Sequence, residues 1–165
     1  MGASGGQRPV ARWWSVLLLA ASLAAGVPLA ASADIGSEGG RSTAEQEMVA
    51  AARAGSERFR ELWNANKLDQ LVAEIYAEAS VLVPPNHDAI RGRAAIREYL
   101  EPARAQLGEY SKADASCHPT SSETLVTLRC EYNFRSGTLR FNATEAWQRQ
   151  PDGSVRNMVD MFGFR

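Results

Sequence analysis

Two acidic residues near the C-terminus lie in segments that alternate like strands. Glu145 is next but one to Trp147, and Asp160 is next but one to Phe162, so alternation puts each acid on an apolar face. A carboxyl group on an apolar wall is poorly solvated, which raises its pKa, and a second carboxyl group nearby raises it further. Such a pair suits general acid–base catalysis or hydrogen bonding to a ligand. The alternative is a structural pair satisfied by arginine or tyrosine side chains, or an acid solvated on a convex face.

The turn between these two strands sets how the acids face each other. Residues 151–153, with the sequence PDG, are a strong turn signal. A two-residue turn there would place Glu145 opposite Met158, and Ala143 opposite Asp160. The two acids would then be diagonal neighbours on one face of the sheet. A bulge at the glycine of the turn would shift this register by one residue.

Amphipathic aromatic residues recur on faces that we expect to turn inward. They are candidates for the wall of a pocket that takes a small apolar or aromatic molecule, although each also suits a core position with a polar tip. These residues are Trp63, Tyr76, Tyr99, Tyr132 and Trp147. His87 lies in a polar loop at the expected mouth of the pocket, and it is a candidate catalytic residue because imidazole exchanges protons near neutral pH. A loop histidine without a role is the alternative.

The two cysteines, Cys117 and Cys130, fall on consecutive predicted strands. A disulfide between them would stabilise the fold by about 3 kcal/mol, and two separate buried thiols are the alternative. Two cysteines and two distant histidines lack the spacing of a zinc site, so we expect no metal. We also expect no cofactor.

Helical periodicity comes first in the chain and strand periodicity follows. Ser42 and Glu45 have the spacing of a capping box at the start of a helix. A second, short helix ends near Tyr76, and a third spans about 93–107. A short strand at 81–83 stops at two prolines. The later strands are predicted at 110–117, 124–134, 139–147 and 155–164. This order indicates an α+β fold, and the short turns favour a meander.

The stretch 76–100, YAEASVLVPPNHDAIRGRAAIREYL, closely resembles the nuclear transport factor 2-like superfamily, in particular its SnoaL-like branch. The resemblance covers nearly all of the chain after the N-terminal segment. It implies a cone in which three N-terminal helices pack on a curved antiparallel sheet around a pocket. Because this fold hosts many activities, the resemblance implies a fold and a cavity more than a reaction.

The resemblance also bears on the two acids. In ketosteroid isomerase-like members, an acid on a late strand donates a hydrogen bond to the substrate oxygen, and Glu145 falls at the matching place. The catalytic base of those members is an acid just before a proline at the end of the first strand. Pro84 stands there, ahead of Pro85, so the isomerase base is absent. Asp160 is similar in position to acids of SnoaL-like cyclases.

The N-terminus has the pattern of a secretory signal peptide. Arg8 and Arg12 precede an apolar run at 13–25, and the small residues 31–33, ASA, fit a cleavage site that leaves Asp34 first. An uncleaved membrane anchor is the alternative. The expected organisation is a signal peptide at 1–33, a flexible lead-in at 34–41 and one SnoaL-like domain at 42–165.

The expected mature chain has 16 basic and 19 acidic residues, which argues against nucleic acid and against membrane binding after cleavage. We therefore expect an exported protein, periplasmic or secreted, with a pocket for a small apolar or aromatic molecule. If it is an enzyme, cofactor-independent proton transfer is the expected chemistry. The alternative is a non-catalytic homodimeric binding or assembly module that uses an open sheet face. We expect a homodimer under either hypothesis.

Overall fold

The computed structural model describes residues 40–112, 117–134 and 138–164. The predictions made for the signal peptide at 1–33, and for most of the lead-in at 34–41, lie outside the described residues. Within the described ranges, no helix combines the length and the apolar composition that a membrane crossing requires.

The first helix, α1, spans Thr43–Asn64 and begins where the capping box predicts. The hydroxyl of Ser42 accepts a hydrogen bond from the Glu45 amide at 3.2 Å, and the Glu45 carboxylate accepts one from the Ser42 amide at 3.0 Å. These bonds satisfy amides that the helix itself leaves without partners. The face of α1 that turns to the sheet is buried and includes Met48, Val49, Ala52, Ser56, Leu62 and Trp63.

The second and third helices follow the predicted boundaries. The second, α2, spans Leu68–Ile75, and the third, α3, spans Arg93–Leu107. Gly92 and Gly108 flank α3 with φ of +84° and +71°, values that other residues rarely adopt. The two glycines therefore explain why the bounds of α3 are legible in the sequence.

Seven strands of the described residues form one curved sheet. They are β1 (Tyr76–Val83), β2 (Ile90–Arg91), β3 (Tyr110–Lys112), β4 (His118–Ser121), β5 (Leu125–Phe134), β6 (Leu139–Arg149) and β7 (Val155–Phe164). The order across the sheet is β2-β1-β7-β6-β5-β3, and β4 also pairs with β5. Of the strand expected at 110–117, β3 covers Tyr110–Lys112, residues 113–116 lie outside the described part of the chain, and Cys117 is not in a strand.

The expectation of a wholly antiparallel sheet is wrong in one respect. Strand β1 pairs with β7 in parallel, although the other pairs are antiparallel. The expected strand between α2 and α3 is present as β1, and the short β2 follows it. Periodicity tells which face a residue occupies, but it carries no information on the direction of a partner strand about 80 residues away.

The pairing of β6 with β7 differs from the predicted register. Glu145 is directly opposite Asp160, and Ala143 is opposite Phe162. A bulge follows, because Ala146 pairs with Val159 whereas Trp147 pairs with Asn157. Met158 is the extra residue, so it does not face Glu145, and Asn157 replaces it on the inner face. The prediction of diagonal acids failed for two reasons. The turn holds one residue more than expected, since Arg149 pairs with Val155, and the bulge at Met158 adds a second residue within the strand.

A disulfide joins Cys117, just before β4, to Cys130 in β5. The predicted bridge is therefore present. It crosses neighbouring strands at the position where His118 and Arg129 are paired next to it.

Candidate functional site

A cavity lies between the helices and the inner face of the sheet. Residues of all three helices and of β1, β3, β5, β6 and β7 line it, and ten of the nineteen are aromatic. The space open to the centres of water molecules is about 50 Å³, so the cavity can hold water or a small molecule. The five aromatic residues singled out from the sequence all line this cavity: Trp63, Tyr76, Tyr99, Tyr132 and Trp147.

Three lining residues bring a carboxyl or amide group into these aromatic walls: Glu145, Asn157 and Asp160. None of the nineteen lining residues is a lysine, an arginine or a histidine. The two acids are direct cross-strand partners, and Cβ atoms of such partners lie about 5 Å apart. The polar part of the cavity is therefore acidic and rich in hydrogen-bond acceptors.

The carboxyl group of Asp160 is positioned by a tyrosine of β1. Tyr76 Oη donates a hydrogen bond to Asp160 Oδ2 at 2.8 Å. Burial raises the pKa of Asp160 to about 6, against the opposing effect of the bond from Tyr76. The pKa of Tyr76 is itself raised well above 10, first by burial and then by the charge of Asp160. Tyr76 consequently stays protonated as a donor while Asp160 can gain or lose a proton near pH 6.

The carboxyl group of Glu145 is held by both α1 and β6. Ser56 Oγ donates to Glu145 Oε1 at 3.2 Å, and Trp147 Nε1 donates to Oε2 at 2.8 Å. Ser56 Oγ also lies 3.4 Å from Tyr132 Oη. Only 6% of Glu145 is exposed. This network fixes the orientation of the carboxyl group inside the cavity, as a site that orients a ligand requires.

Asn157 is a site residue that the sequence reasoning missed. It is 2% exposed. Among the fully buried side-chain nitrogen and oxygen atoms in the described part of the chain, its Oδ1 is the one without a hydrogen-bond partner. Its backbone carbonyl accepts a hydrogen bond from Ser80 Oγ at 2.5 Å. The bulge at Met158 turns Asn157 inward. Asparagine is disfavoured in strands, and its occurrence there was the available signal.

Gly55 allows α1 to lie close to this network. A Cβ atom added at Gly55 would overlap the six-membered ring of Trp147, whose side chain is 1% exposed. The absence of a side chain in the middle of the helix is therefore required by packing, although glycine lowers helix propensity.

His87 lies outside the cavity. Its ring meets the ring of Tyr99 edge-on, with centroids 5.6 Å apart, and its Nδ1 is 2.8 Å from the carbonyl oxygen of Asp88. Tyr99 lines the cavity and His87 does not. The structure therefore does not bring His87 together with Glu145 and Asp160.

Comparison with solved structures places this architecture among known folds. An NTF2-like protein with a cystatin-like fold from Novosphingobium aromaticivorans superposes with a TM-score of 0.61 at 18% identity, over 72% of this chain and 82% of that one. A candidate dehydratase of the NTF2-like family from Streptomyces avermitilis gives 0.61 at 14% identity, over 73% and 98%. A Catenulispora acidiphila protein in complex with S-DNPA gives 0.61 at 12% identity, over 73% and 95%.

No family model and no curated protein sequence matches the chain. At these identities the structural matches establish the fold, which is the one that the stretch 76–100 indicates. The chain has an NTF2-like, cystatin-like α+β fold, and its chemistry rests on its own residues.

Proposed function

We propose that this protein, which has the NTF2-like fold, binds a small apolar or aromatic molecule in the cavity beneath α1. One observation carries the proposal: two carboxyl groups and an amide converge on a space that is otherwise almost entirely aromatic and aliphatic. A cavity with apolar walls and a few convergent polar groups is the usual form of a small-molecule site. The Catenulispora acidiphila structure in complex with S-DNPA supports a ligand-binding role for this fold.

The chemistry that the site favours is proton transfer without a cofactor. Asp160, with a pKa of about 6, can accept a proton from a bound molecule at neutral pH, and Tyr76 holds its carboxylate in place. Glu145 is positioned on the opposite strand to hydrogen-bond a polar atom of the same molecule. The candidate dehydratase from Streptomyces avermitilis is consistent with this class, because dehydration needs a base for the C–H proton and an acid for the departing hydroxyl.

Ligand binding in the cavity can be tested by a substitution that fills the cavity with a larger side chain. Ala143 is 2% exposed and lines the cavity, whereas Ala146 is on the outer face of the same strand. We expect toluene and benzyl alcohol to shift the amide NMR signals of β6 and β7, and Ala143→Leu to weaken that binding at least tenfold. Ala146→Leu is the matched control and should bind as the wild type does. Equal binding by Ala143→Leu, or no binding by the wild type, would contradict the proposal.

Proton transfer can be tested by deuterium exchange. Phenylacetone in D₂O exchanges its C–H hydrogens next to the carbonyl when a base removes a proton and a deuteron returns. We expect the wild type to accelerate this exchange and Asp160→Asn to lose the acceleration. Equal exchange rates with the wild type and with Asp160→Asn at pH 7.5 would contradict proton transfer by Asp160. The proposal that the cavity binds a small molecule would be unaffected.

Assembly is the competing proposal, and exposed apolar residues favour it. Leu125 and Met161 are 45% and 46% exposed and occupy outward positions of β5 and β7. A homodimer that uses the outer sheet face would cover them. Sedimentation analysis of the wild type and of Met161→Asp tests this: a dimer that Met161→Asp dissociates supports an outer-face interface, and a monomeric wild type contradicts it.

We also propose that the protein is exported, to the periplasm or the exterior. The disulfide between Cys117 and Cys130 supports this location, because disulfides persist in oxidising compartments.

A further inference from the structure

We propose that the cavity selects a small organic cation, a protonated primary amine with an apolar or aromatic body. The proposal rests on the proposed function, since it names the chemical class of the ligand that the cavity takes. Its basis is the combination of opposed acids, an unpartnered amide oxygen and aromatic walls.

Glu145 and Asp160 face each other across β6 and β7, and the lining includes no basic side chain. Like charges directly opposite each other on a sheet are unfavourable, and burial strengthens the effect by lowering the local dielectric. A positive charge between the two carboxylates relieves both the repulsion and the desolvation. An anionic ligand would increase both the repulsion and the cost of desolvation.

An ammonium group has three N–H donors and no acceptor. The Oδ1 atom of Asn157 is buried without a partner among the described residues, and the carboxylates of Asp160 and Glu145 are acceptors. The ligand group that serves several acceptors at once is a primary ammonium, whereas a hydroxyl donates only one hydrogen bond. Charge and donor count thus point to the same chemical group.

Aromatic residues from two helices, α1 and α3, and from five strands surround the space, among them Phe59, Tyr110, Trp147 and Phe162. The faces of aromatic rings attract organic cations, and the attraction strengthens where water is excluded. The space open to the centres of water molecules is small, about 50 Å³, so the body of the ligand is about as large as a single ring.

Three probes of one shape separate these contributions: benzylamine, benzyl alcohol and benzoate. Dissociation constants would be measured at pH 7.5 by calorimetry and by NMR of the β6 and β7 amides. We expect benzylamine to bind at least tenfold more tightly than benzyl alcohol, and benzoate not to bind. Equal or tighter binding of benzyl alcohol or benzoate overturns the amine inference and leaves the cavity proposal standing. No binding by any of the three overturns both.

Variants assign the preference to its residues. Asp160→Asn keeps the shape and removes the charge, so the preference for benzylamine over benzyl alcohol should fall below about threefold. Asn157→Leu removes the Oδ1 acceptor and should weaken the binding of benzylamine at least fivefold. Glu98→Gln is the matched control, because Glu98 is exposed on α3 and loses the same charge. A preference retained in Asp160→Asn, or lost in Glu98→Gln, contradicts the proposed site.

The wild type alone supplies a second measurement where a variant does not fold. Lowering the pH from 7.5 to 5 protonates Asp160. The other titratable residues that line the cavity are Glu145, Tyr76, Tyr99, Tyr110 and Tyr132. Benzylamine stays protonated over this range, as alkyl amines do. Its affinity should therefore fall several-fold while that of benzyl alcohol stays constant. A constant benzylamine affinity overturns the inference.

Discussion

Tyr76 Oη and Asp160 Oδ2 are joined by a hydrogen bond of 2.8 Å that connects the first strand of the sheet to the last. Tyr76 is not the register partner of Asp160, since Leu82 occupies that place and Tyr76 is paired with Asn157. The tyrosine ring therefore reaches along the strand to the acid. Strands β1 and β7 are the only parallel pair among the described elements, and their pairing positions the carboxyl group of Asp160, which titrates in the cavity.

Removal of this bond should raise the pKa of Asp160. The Tyr76 hydroxyl stabilises the charged carboxylate and so opposes burial, and the two effects together leave the pKa of Asp160 at about 6. We expect Tyr76→Phe to move the midpoint upward, measured by NMR titration of the Asp160 carboxyl carbon. Tyr99→Phe is the control, because Tyr99 also lines the cavity, and it should leave the midpoint near the wild-type value. A lowered midpoint in Tyr76→Phe would contradict the role of the bond.

Asp160 should make the free energy of unfolding depend on pH. Its pKa is about 6 in the folded protein against an ordinary value of 3.8. The contribution of Asp160 to stability is complete below about pH 4. It is lost as the pH rises through 6, because the unfolded chain releases the proton first. The loss is at most about 3 kcal/mol. Glu74 and Asp152 have lowered pKa values and act in the opposite direction.

The measurement is therefore the difference between the wild type and Asp160→Asn in urea unfolding at several pH values. The difference should change between pH 4 and 6 and be constant above about pH 7. A difference that is independent of pH would show that Asp160 titrates normally in the folded protein.

Gly55→Ala should destabilise the protein although alanine favours helices. Helix propensity alone predicts a gain of up to about 1 kcal/mol, but the new Cβ overlaps the Trp147 ring. We expect a net loss of about 1–3 kcal/mol in the free energy of unfolding. Ala54→Gly at the exposed neighbouring position isolates the propensity effect and should lose about 1 kcal/mol. The penalty of Gly55→Ala should shrink in a Trp147→Phe background. A net gain from Gly55→Ala would contradict the close packing.

The disulfide should contribute about 3 kcal/mol to stability. Cys117 and Cys130 are 13 residues apart in sequence and are bonded in the structure. Thiol labelling of the denatured, unreduced protein should detect no free thiol. Replacement of both cysteines by serine should lower the urea midpoint, and a reducing agent should have no further effect on that variant. Two labelled thiols per chain would exclude the bridge in solution.

The N-terminal pattern predicts cleavage before Asp34. Mass spectrometry of the protein in the exported fraction of its native host should find Asp34 as the first residue. Detection of an intact N-terminus at Met1 or Gly2 in that fraction would contradict the prediction.

Much of the fold was predictable because its signals are local. The capping box at Ser42 starts α1, and the glycines at 92 and 108 delimit α3. The parallel partnership of β1 and β7 was not predictable, since it depends on contacts between distant segments. Local chemistry determines where an element begins and ends, and long-range packing determines its partner.

The candidate site was predictable in its walls and less so in its polar groups. The alternation of β5 and β6 is unbroken, so Tyr132, Glu145 and Trp147 face the side that the sequence predicts. The bulge at Met158 interrupts β7, and a single extra residue changes which side chains face inward. Asn157 was missed for this reason, and Glu145 is opposite Asp160 rather than diagonal to it.

The two edges of the sheet affect how readily the protein aggregates at high concentration. Strand β2 has two residues, and the other edge is divided between β3 with three and β4 with four. Pro119 in β4 has no N–H to offer, and the adjacent disulfide fastens this segment to β5. Short, interrupted edge strands offer another copy of the protein few free backbone groups to pair with, and this disfavours aggregation. Reduction of the disulfide would remove the covalent link between this segment and β5, and separation of β4 would then leave residues 126–129 of β5 open to strand pairing between molecules.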